Sequence, residues 1–328
     1  MTVRTSVIVI TLNRPDYVRK CLACLESQEP HPDQIIVVDS SKDNITTKVV
    51  AEFPDVLYLR NENGFGRMTT SRNISLKHSI GDIIAFVDDD AFAHPGWLAA
   101  LLAEYTSPEI GAVGGRALNN IPNEEKDGVD RIGQLTSYGT LEGNFAADPG
   151  KTLIVDHIMG CNMSFRREVL ARLGGFREDF PGISGVCEDS DMSLRVRKLG
   201  YTILFTPKAV VDHVAAPQAI GKRFDTRYTY NGHRNRMVML VSNYGMFSHY
   251  VVGCVFYSLW RGLYSLGRFL RGLKPGFLAV AHLGAIVGGL VMGFVLGVKL
   301  MNQHRRDPVR HDPDALEIVR ALNEPVKT

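Results

Sequence analysis

The sequence predicts an α/β protein built on a largely parallel sheet, followed by an apolar helical appendage. Three observations predict it. Continuous apolar, β-branched runs alternate with helical patterns through the first half. Polar residues fall where each run stops. Near Ser248 the pattern changes to long helices with few acids. Runs that are apolar throughout, rather than at alternate positions, mark strands buried on both faces, as in parallel sheets covered by helices.

The elements follow in order. Ser6–Thr11 reads as the first buried strand, and Pro15 opens a helix over Asp16–Ser27, where proline suits a first turn. Gln34–Asp39 is a second buried strand. Thr46–Glu52 reads as a helix, Val56–Leu59 as a short strand and Thr69–Ser79 as a helix. Asp82–Asp88 is the next long strand. Ala112–Gly150 is rich in Gly, Asn and Asp and reads as irregular, either a loop over a site or a plain excursion. Phe165–Leu173 reads as a helix ended by Gly174-Gly175. Asp189–Leu199 reads as another, ended by Gly200. Tyr201–Phe205 and Val210–His213 read as two short strands. These patterns divide the chain into a catalytic-type unit at 1–245, membrane-associating helices at 246–300 and a polar tail at 301–328.

Bulk properties bound the function. The chain has 328 residues, is 45% hydrophobic and carries a formal charge of only +2, so as a whole it does not read as a nucleic-acid binder. Five cysteines without regular spacing argue against a disulfide scaffold and fit a reducing compartment. Cys21 and Cys24 form a C-x-x-C, but inside a helical pattern with Val18, Leu22 and Leu25, which reads as helix packing. The run from Thr5 to Leu12 is cut short by Asn13, Arg14 and Pro15, so it reads as a strand rather than an export signal, and the expected location of the catalytic part is cytoplasmic.

In open parallel sheets ligands sit at the carboxyl ends of strands. Thr11 and Asn13, then Asp39-Ser40-Ser41, then Asp88-Asp89-Asp90 all stand at such ends. Carboxylates two positions apart suit Mg²⁺ or Mn²⁺ shared with substrate phosphates, and such an ion helps a diphosphate to leave. A charged turn before Pro95 is the plainer alternative. The second acidic cluster, Glu188-Asp189-Ser190-Asp191, opens a helix that closes on Arg195, Arg197 and Lys198. Helix-dipole complementarity explains acids and bases in that order. Three acids nevertheless exceed what a cap needs, so one of them is a candidate general base.

The ordered series of motifs resembles family 2 glycosyltransferases of the GT-A fold, especially rhamnosyltransferase-like members that decorate bacterial surface polysaccharides. The matching text runs from Ser6–Asn13 through Ile35–Asp43, Asn63–Gly66, Ser71–Asn73 and Ala85–Asp90. It continues with Gly160–Arg167, Gly174–Phe176, Glu188–Arg195 and Val211–His213, covering about residues 5–240. The resemblance implies a nucleotide-diphospho-sugar transferase with a Rossmann-like mixed sheet. It implies that Thr11, Asn13 and Arg14 line the nucleotide pocket and that Asp39 accepts hydrogen bonds from the base. Arg72 and Asn73 are implied beside the nucleotide. Asp88 is implied to face the ribose or the metal, Asp90 to ligate Mn²⁺ or Mg²⁺, and His213 to reach the metal or diphosphate. Asp189 matches the base of an inverting, single-displacement transfer, with Glu188 supporting it or meeting the acceptor. Asp89 has no assigned role.

Two departures sharpen the expectation. The Q-x-x-R-W signature of processive synthases is absent, its nearest analogue being Arg234-Asn-Arg236, which favours addition of one sugar. Asn44 stands where the family usually has Gly after Ser-x-Asp, and Asn tolerates a left-handed backbone. A donor-binding protein without catalysis and a nucleotidyltransferase are the competing readings. The first sits poorly with an intact acid series. The second lacks its Gly-rich loop at Thr11–Pro15.

Val251–Lys274 carries Arg261, Arg268 and Arg271 opposite an apolar face, a basic amphipathic pattern suited to an anionic membrane surface. Phe277–Val298 is apolar and long enough for the ~20 residues a span requires. A single crossing would put the basic end outside, against the usual charge bias. The expectation is peripheral or monotopic association with the cytoplasmic face of a bacterial inner membrane. The donor would be a nucleotide-sugar and the acceptor a glycan or glycolipid. The alternative is packing of these helices on the domain or on a partner in a homo-oligomer.

Overall fold

The computed structural model describes residues 3–62, 67–180, 186–216, 225–270, 276–306 and 315–324. Strand β1 (Thr5–Thr11) is buried along its whole length. Helix α1 (Pro15–Glu26) follows and turns Val18, Cys21, Leu22 and Leu25 onto the sheet. Then come β2 (Gln34–Asp39), α2 (Ile45–Val50), β3 (Val56–Arg60), α3 (Met68–Leu76) and β4 (Ile83–Asp88). β3, β2, β1 and β4 lie side by side and parallel, with Ile10 opposite Val38 on one side and Asp88 on the other. Thr11, Asp39 and Asp88 therefore end at one edge, as the apolar runs predict.

The second half completes a mixed sheet. β5 (Ala91–Ala93) and α4 (Trp97–Ala103) precede β6 (Ile110–Leu118). The short strands β7 (Gln134–Leu135), β8 (Leu141–Glu142) and β9 (Leu153–Ile154) lead to β10 (Asn162–Arg166) and α5 (Arg167–Leu173). α6 (Glu188–Lys198) and β11 (Thr202–His213) follow. The strand order is β3-β2-β1-β4-β10-β6-β11-β5, with β9 beside β11. The expected GT-A mixed sheet is present.

Three expectations are corrected. The irregular stretch begins with β6, a strand buried between β10 and β11. Gly114 and Gly115 disguise it, because they are small for packing reasons: side chains there would run into Ile158 and Ala209. The helix expected from Phe165 starts at Arg167. Before it, Met163 and Phe165 alternate with Asn162 and Ser164, which is strand periodicity, and the polar pair is satisfied inside the sheet through Arg116 O, Ala209 O and Val113 O. The two strands after Gly200 are one, interrupted between Thr206 and Val210 around Pro207.

The remaining helices are α7 (Thr226–Tyr244), α8 (His249–Leu270), α9 (Gly276–Arg306) and α10 (Ala315–Asn323). α7 binds the α/β body by polar contacts. Arg177 donates to Ser242 Oγ at 2.8 Å, Asn243 donates to Asp191 at 2.8 Å and Asn235 donates to Val186 O at 3.1 Å. α9 lies along α7, with Gly289, Gly293 and Gly297 set against Tyr230, Arg234 and Val241, where a Cβ would collide. The segment expected as a polar tail contains α10, whose Ala315, Ile318 and Leu322 are buried among Leu76, Leu170 and Phe176. Arg167 donates to the carbonyls of Ala321 and Leu322 at 2.8 and 2.7 Å, which satisfies that helix end.

Candidate active site

The edge formed by Thr11, Asp39 and Asp88 is built from buried polar contacts. Asp39 is fully buried, receiving the Tyr58 hydroxyl at 3.0 Å and the Ser41 amide at 2.8 Å. Ser41 Oγ in turn accepts from Asn13 N at 2.7 Å, while exposed Asn13 takes a left-handed φ of 56°. Asn13 and the Ser40-Ser41 turn thus form one wall, which Asp39 anchors from beneath. Each oxygen of Asp39 carries one of these bonds and keeps a second lone pair.

Asp89, which the sequence leaves without a role, organises the neighbouring wall. It is 2% exposed, accepts from Thr11 Oγ1 at 2.7 Å and pairs with Arg14 at 2.9 Å. Burial pushes its carboxyl up to about 7, against the pull of Arg14 and Thr11. Thr11 and Arg14, expected to line the nucleotide pocket, are first of all partners of Asp89. Arg14 also reaches Asp90 at 3.4 Å.

Asp90 faces the other way. Its Oδ1 lies 3.5 Å from His213 Nε2, and its Oδ2 accepts from Ala216 N at 2.8 Å. Burial alone would raise its carboxyl, but His213, Arg14 and the Ala216 amide hold it below the usual carboxylate range. Ligand atoms of Asp88, Asp90 and His213 all lie within 4.8 Å of one another. Two carboxylates and an imidazole suit Mn²⁺ or Mg²⁺. His213 Nδ1 is buried without a hydrogen-bond partner, so one of the two ring nitrogens can turn to an ion at no cost in existing bonds. This is the set anticipated for the metal.

α3 joins this donor half to the second acidic cluster through three consecutive buried residues. Ser71 Oγ accepts from Asn61 Nδ2 and shares a hydrogen bond with Ser40 Oγ. Arg72, 1% exposed, stands 3.6 Å from Asp88 and 3.2 Å from Glu188. Asn73 donates to Phe176 O and accepts from Phe176 N, both at 2.8 Å. Arg72 and Asn73 were expected beside the nucleotide. Within the protein Arg72 bridges the two acid clusters, and Asn73 holds the Phe176 backbone.

The second cluster opens α6. Asp189 is half-buried, and its Oδ2 accepts from Gly160 N at 2.8 Å and its Oδ1 from Ser190 N at 2.7 Å. A side chain at Gly160 would press on Arg72 and Asp189 together, so glycine is needed there for close approach. Glu188 is 8% exposed; burial, with Asp189 adjacent, pushes its carboxyl up to about 7 despite Arg72. Asp191 turns inward to Arg177 and Asn243. Behind Asp189 stands a pair that sequence reasoning missed. Ser190 Oγ lies 3.3 Å from both Asp189 Oδ1 and His157 Nδ1, and His157 Nε2 faces Glu142 O at 3.2 Å. No local pattern marks His157, because it reaches α6 only through the fold. The motif residues Asn63–Gly66 lie outside the described residues.

Comparison with known proteins bears on this geometry. The description "Glycosyl transferase family 2" matches residues 6–174. Glycosyltransferase AglE of Haloferax volcanii is 26% identical over 218 residues, 65% of this chain and 67% of AglE. The O-antigen chain rhamnosyltransferase WbaN of Salmonella anatum is 25% identical over 61% of this chain and 64% of its own length. The chain thus aligns with about two thirds of these relatives' length. Among solved structures, the mannosyltransferase PcManGT from Pyrobaculum calidifontis, in complex with GDP-Man and Mn²⁺, superposes with a TM-score of 0.54 at 18% identity, covering 98% of this chain and 86% of PcManGT. GalNAc-T7 with UDP, GalNAc and Mn²⁺ gives 0.61 at 15% identity, covering 79% of this chain and 51% of its own. These two likenesses speak to the fold.

Proposed function

The chain belongs to Glycosyl transferase family 2, and from that premise we propose an inverting, metal-dependent transfer of one sugar from a nucleotide-sugar to a lipid-linked glycan. The observation that carries this reading is Arg72, which stands between Asp88 and Glu188 and so links two acid clusters that are distant in sequence. In this reading Asp88, Asp90 and His213 hold Mn²⁺ or Mg²⁺, which when bound neutralises the diphosphate leaving group. Asn13, Ser41 and Arg14 line the nucleotide side. Asp189 takes the proton from the acceptor hydroxyl at its Oδ atoms, as its half-exposed position permits. Its two backbone N–H partners orient it for that step. Glu188 sits behind it against Arg72. The metal is supported further by the Mn²⁺ in both structural neighbours, and the polysaccharide setting by relatives such as WbaN.

Product formation from labelled nucleotide-sugars and membrane glycolipid with Mn²⁺ tests the reading. Asp90→Ala and Asp189→Ala are each expected to abolish transfer. Full activity of both variants on the acceptor overturns the assignment.

For the membrane, the reading is monotopic. Val280–Gln303 is apolar enough to cross, with a mean hydropathy of 2.1. Yet α9 lies along α7, and α7 is bonded to α6 and its surroundings. A crossing would draw that polar body toward hydrocarbon. What supports a flat pose is the outward face: Val252, Phe256, Trp260 and Leu263 on α8, with Val291 and Val295 on α9, are all exposed. Arg261 is exposed beside them; the side chain of Arg268 and residue Arg271 lie outside the described residues. Of the two tryptophans, Trp97 is fully buried and Trp260 is 62% exposed. Vesicles are therefore expected to blue-shift Trp260 emission, and an unchanged spectrum counts against the pose.

A further inference from the structure

A basic cluster stands where the α7–α8 junction meets the start of α6. Between Asp225 and Asp307 the chain has no acidic residue, yet it carries eight Arg and two Lys. Among the described residues Arg227, Arg261 and Lys299 are exposed, whereas Arg236 lies partly buried between two helices. Its Nη2 donates to His233 Nδ1 at 2.9 Å and to Ser258 Oγ at 3.3 Å, tying α7 to α8. Its Nε is buried and has no hydrogen-bond partner. Among the described residues no carboxylate pairs with Arg236 or with nearby Arg261. A buried guanidinium N–H without an acceptor is costly, and a phosphoryl oxygen that reaches Nε would satisfy it.

His233 completes the cluster. Burial, with Arg236 and Arg261 beside it, pushes its imidazole down to about 3, so the ring is neutral at physiological pH. Because Nδ1 accepts from Arg236, Nε2 carries the proton and is a further donor. The location is specific. Asn235, the preceding residue, holds Val186 O at 3.1 Å, and the Arg236 charge is near enough to Cys187 to act on its thiol. Glu188 and Asp189 come next in the chain. On the other side, Ser258 faces Arg236 while Trp260, two residues on, faces outward. The cluster thus lies between the acids of α6 and the apolar helix face.

We propose that Arg236, with His233 and Arg261, forms a phosphate-binding subsite that seats the phosphate of a lipid-borne acceptor. This rests on the transferase reading above and deepens it: the acceptor is recognised by its lipid phosphate as well as by its sugar. A phosphate here would put the lipid along α8 and the sugar end toward Asp189. The same anion chemistry could come from bulk phospholipid headgroups, so the test separates the two.

The probes are farnesyl phosphate and farnesol, presented to the full chain in detergent micelles and read by fluorescence. The wild type is expected to prefer the phosphate by about tenfold or more, since charge-assisted hydrogen bonds are among the stronger ones. Arg236→Gln should abolish the preference, and Arg236→Lys should keep part of it. Arg261→Gln alters an exposed residue that does not hold the fold, and should lower the preference a few-fold. Sedimentation with phosphatidylglycerol vesicles should be unchanged in Arg236→Gln. Persistence of the preference in both Gln variants overturns the proposal. Loss of vesicle binding together with the preference overturns it too, because Arg236 would then serve headgroups generally. Asp189→Asn should retain the preference while losing transfer. If it keeps transfer, the transferase reading fails on its own, apart from the phosphate result.

Discussion

The acid cluster after β4 and the acid cluster opening α6 look alike in sequence and are built differently. Each presents three carboxylates within four positions. After β4, side chains meet the acids: Arg14 pairs with Asp89 and Asp90, Arg72 stands by Asp88, and His213 lies 3.5 Å from Asp90. At α6, backbone amides hold the half-buried acid, Asp189, while arginines take its neighbours. In both clusters one acid is structural, Asp89 in the first and Asp191 in the second. A site built from side-chain charges suits a cation and its phosphates. A carboxylate held by N–H groups and open on one side suits proton transfer.

The largest expected effects divide the two halves. Asp90→Ala should cut transfer by about a thousandfold or more and remove its response to added Mn²⁺, since an ion at a leaving diphosphate is worth several kcal/mol. Asp189→Asn should cut transfer by about 10²–10⁴-fold but leave Mn²⁺-dependent nucleotide binding intact. Isothermal titration with nucleotide, alongside initial rates, distinguishes them. Equal loss of nucleotide binding in both variants would erase the division.

Next comes a test of the structural acids. Asp191→Ala leaves Arg177 buried with Asp179 as its remaining carboxylate partner. Breaking a buried pair typically costs about 3–5 kcal/mol, and a share of that should appear as a clear fall in Tm. The same change at Asp189 should move Tm little, because that acid makes no ion pair among the described residues. A Tm loss at Asp189 matching that at Asp191 would contradict the contrast.

How much of this was legible in sequence follows the same line. The polar sheet edge was legible, because β1, β2 and β4 carry apolar runs and each ends on a polar residue. The resemblance pointed to Asp88, Asp90 and His213, and their ligand atoms lie within 4.8 Å of one another. Arg72 and Asn73 were picked out, but their partners Glu188 and Phe176 were not, since pattern alone does not say which way α3 turns a side chain. β6 was hidden by glycines that serve close packing, and α10 by its position after a polar stretch. His157 had no signal at all, for its contacts with Ser190 and Glu142 arise only from folding.

A subtler difference concerns pH. Burial raises Glu188 to about 7, above its ordinary value of 4.5. Between those values the folded chain holds a proton that the unfolded chain has released. Stability from this group is therefore greatest below pH 4.5 and is lost as pH rises toward 7. Glu188→Gln should flatten that part of the stability profile measured by urea unfolding. An unchanged slope would mean that Arg72 keeps Glu188 ionised. Asp89, raised for the same reason, adds to the slope and should persist in the Gln variant.

The smallest expected effect is at Ser190. Its hydroxyl has one proton and two candidate acceptors, Asp189 Oδ1 and His157 Nδ1, both at 3.3 Å. While Asp189 is ionised, the hydroxyl is best used by the carboxylate. Once Asp189 has taken a proton, the hydroxyl can swing to His157, whose Nε2–H is held by Glu142 O. Ser190→Ala removes this adjustment but leaves the Gly160 and Ser190 amides on Asp189. The expected result is a few-fold fall in kcat, in keeping with the loss of one hydrogen bond worth about 1 kcal/mol, with little change in acceptor KM. Ser190→Thr should restore most of it. A rise in KM at constant kcat would show instead that Ser190 shapes acceptor binding, and the two acid clusters would then differ less in kind than their partners suggest.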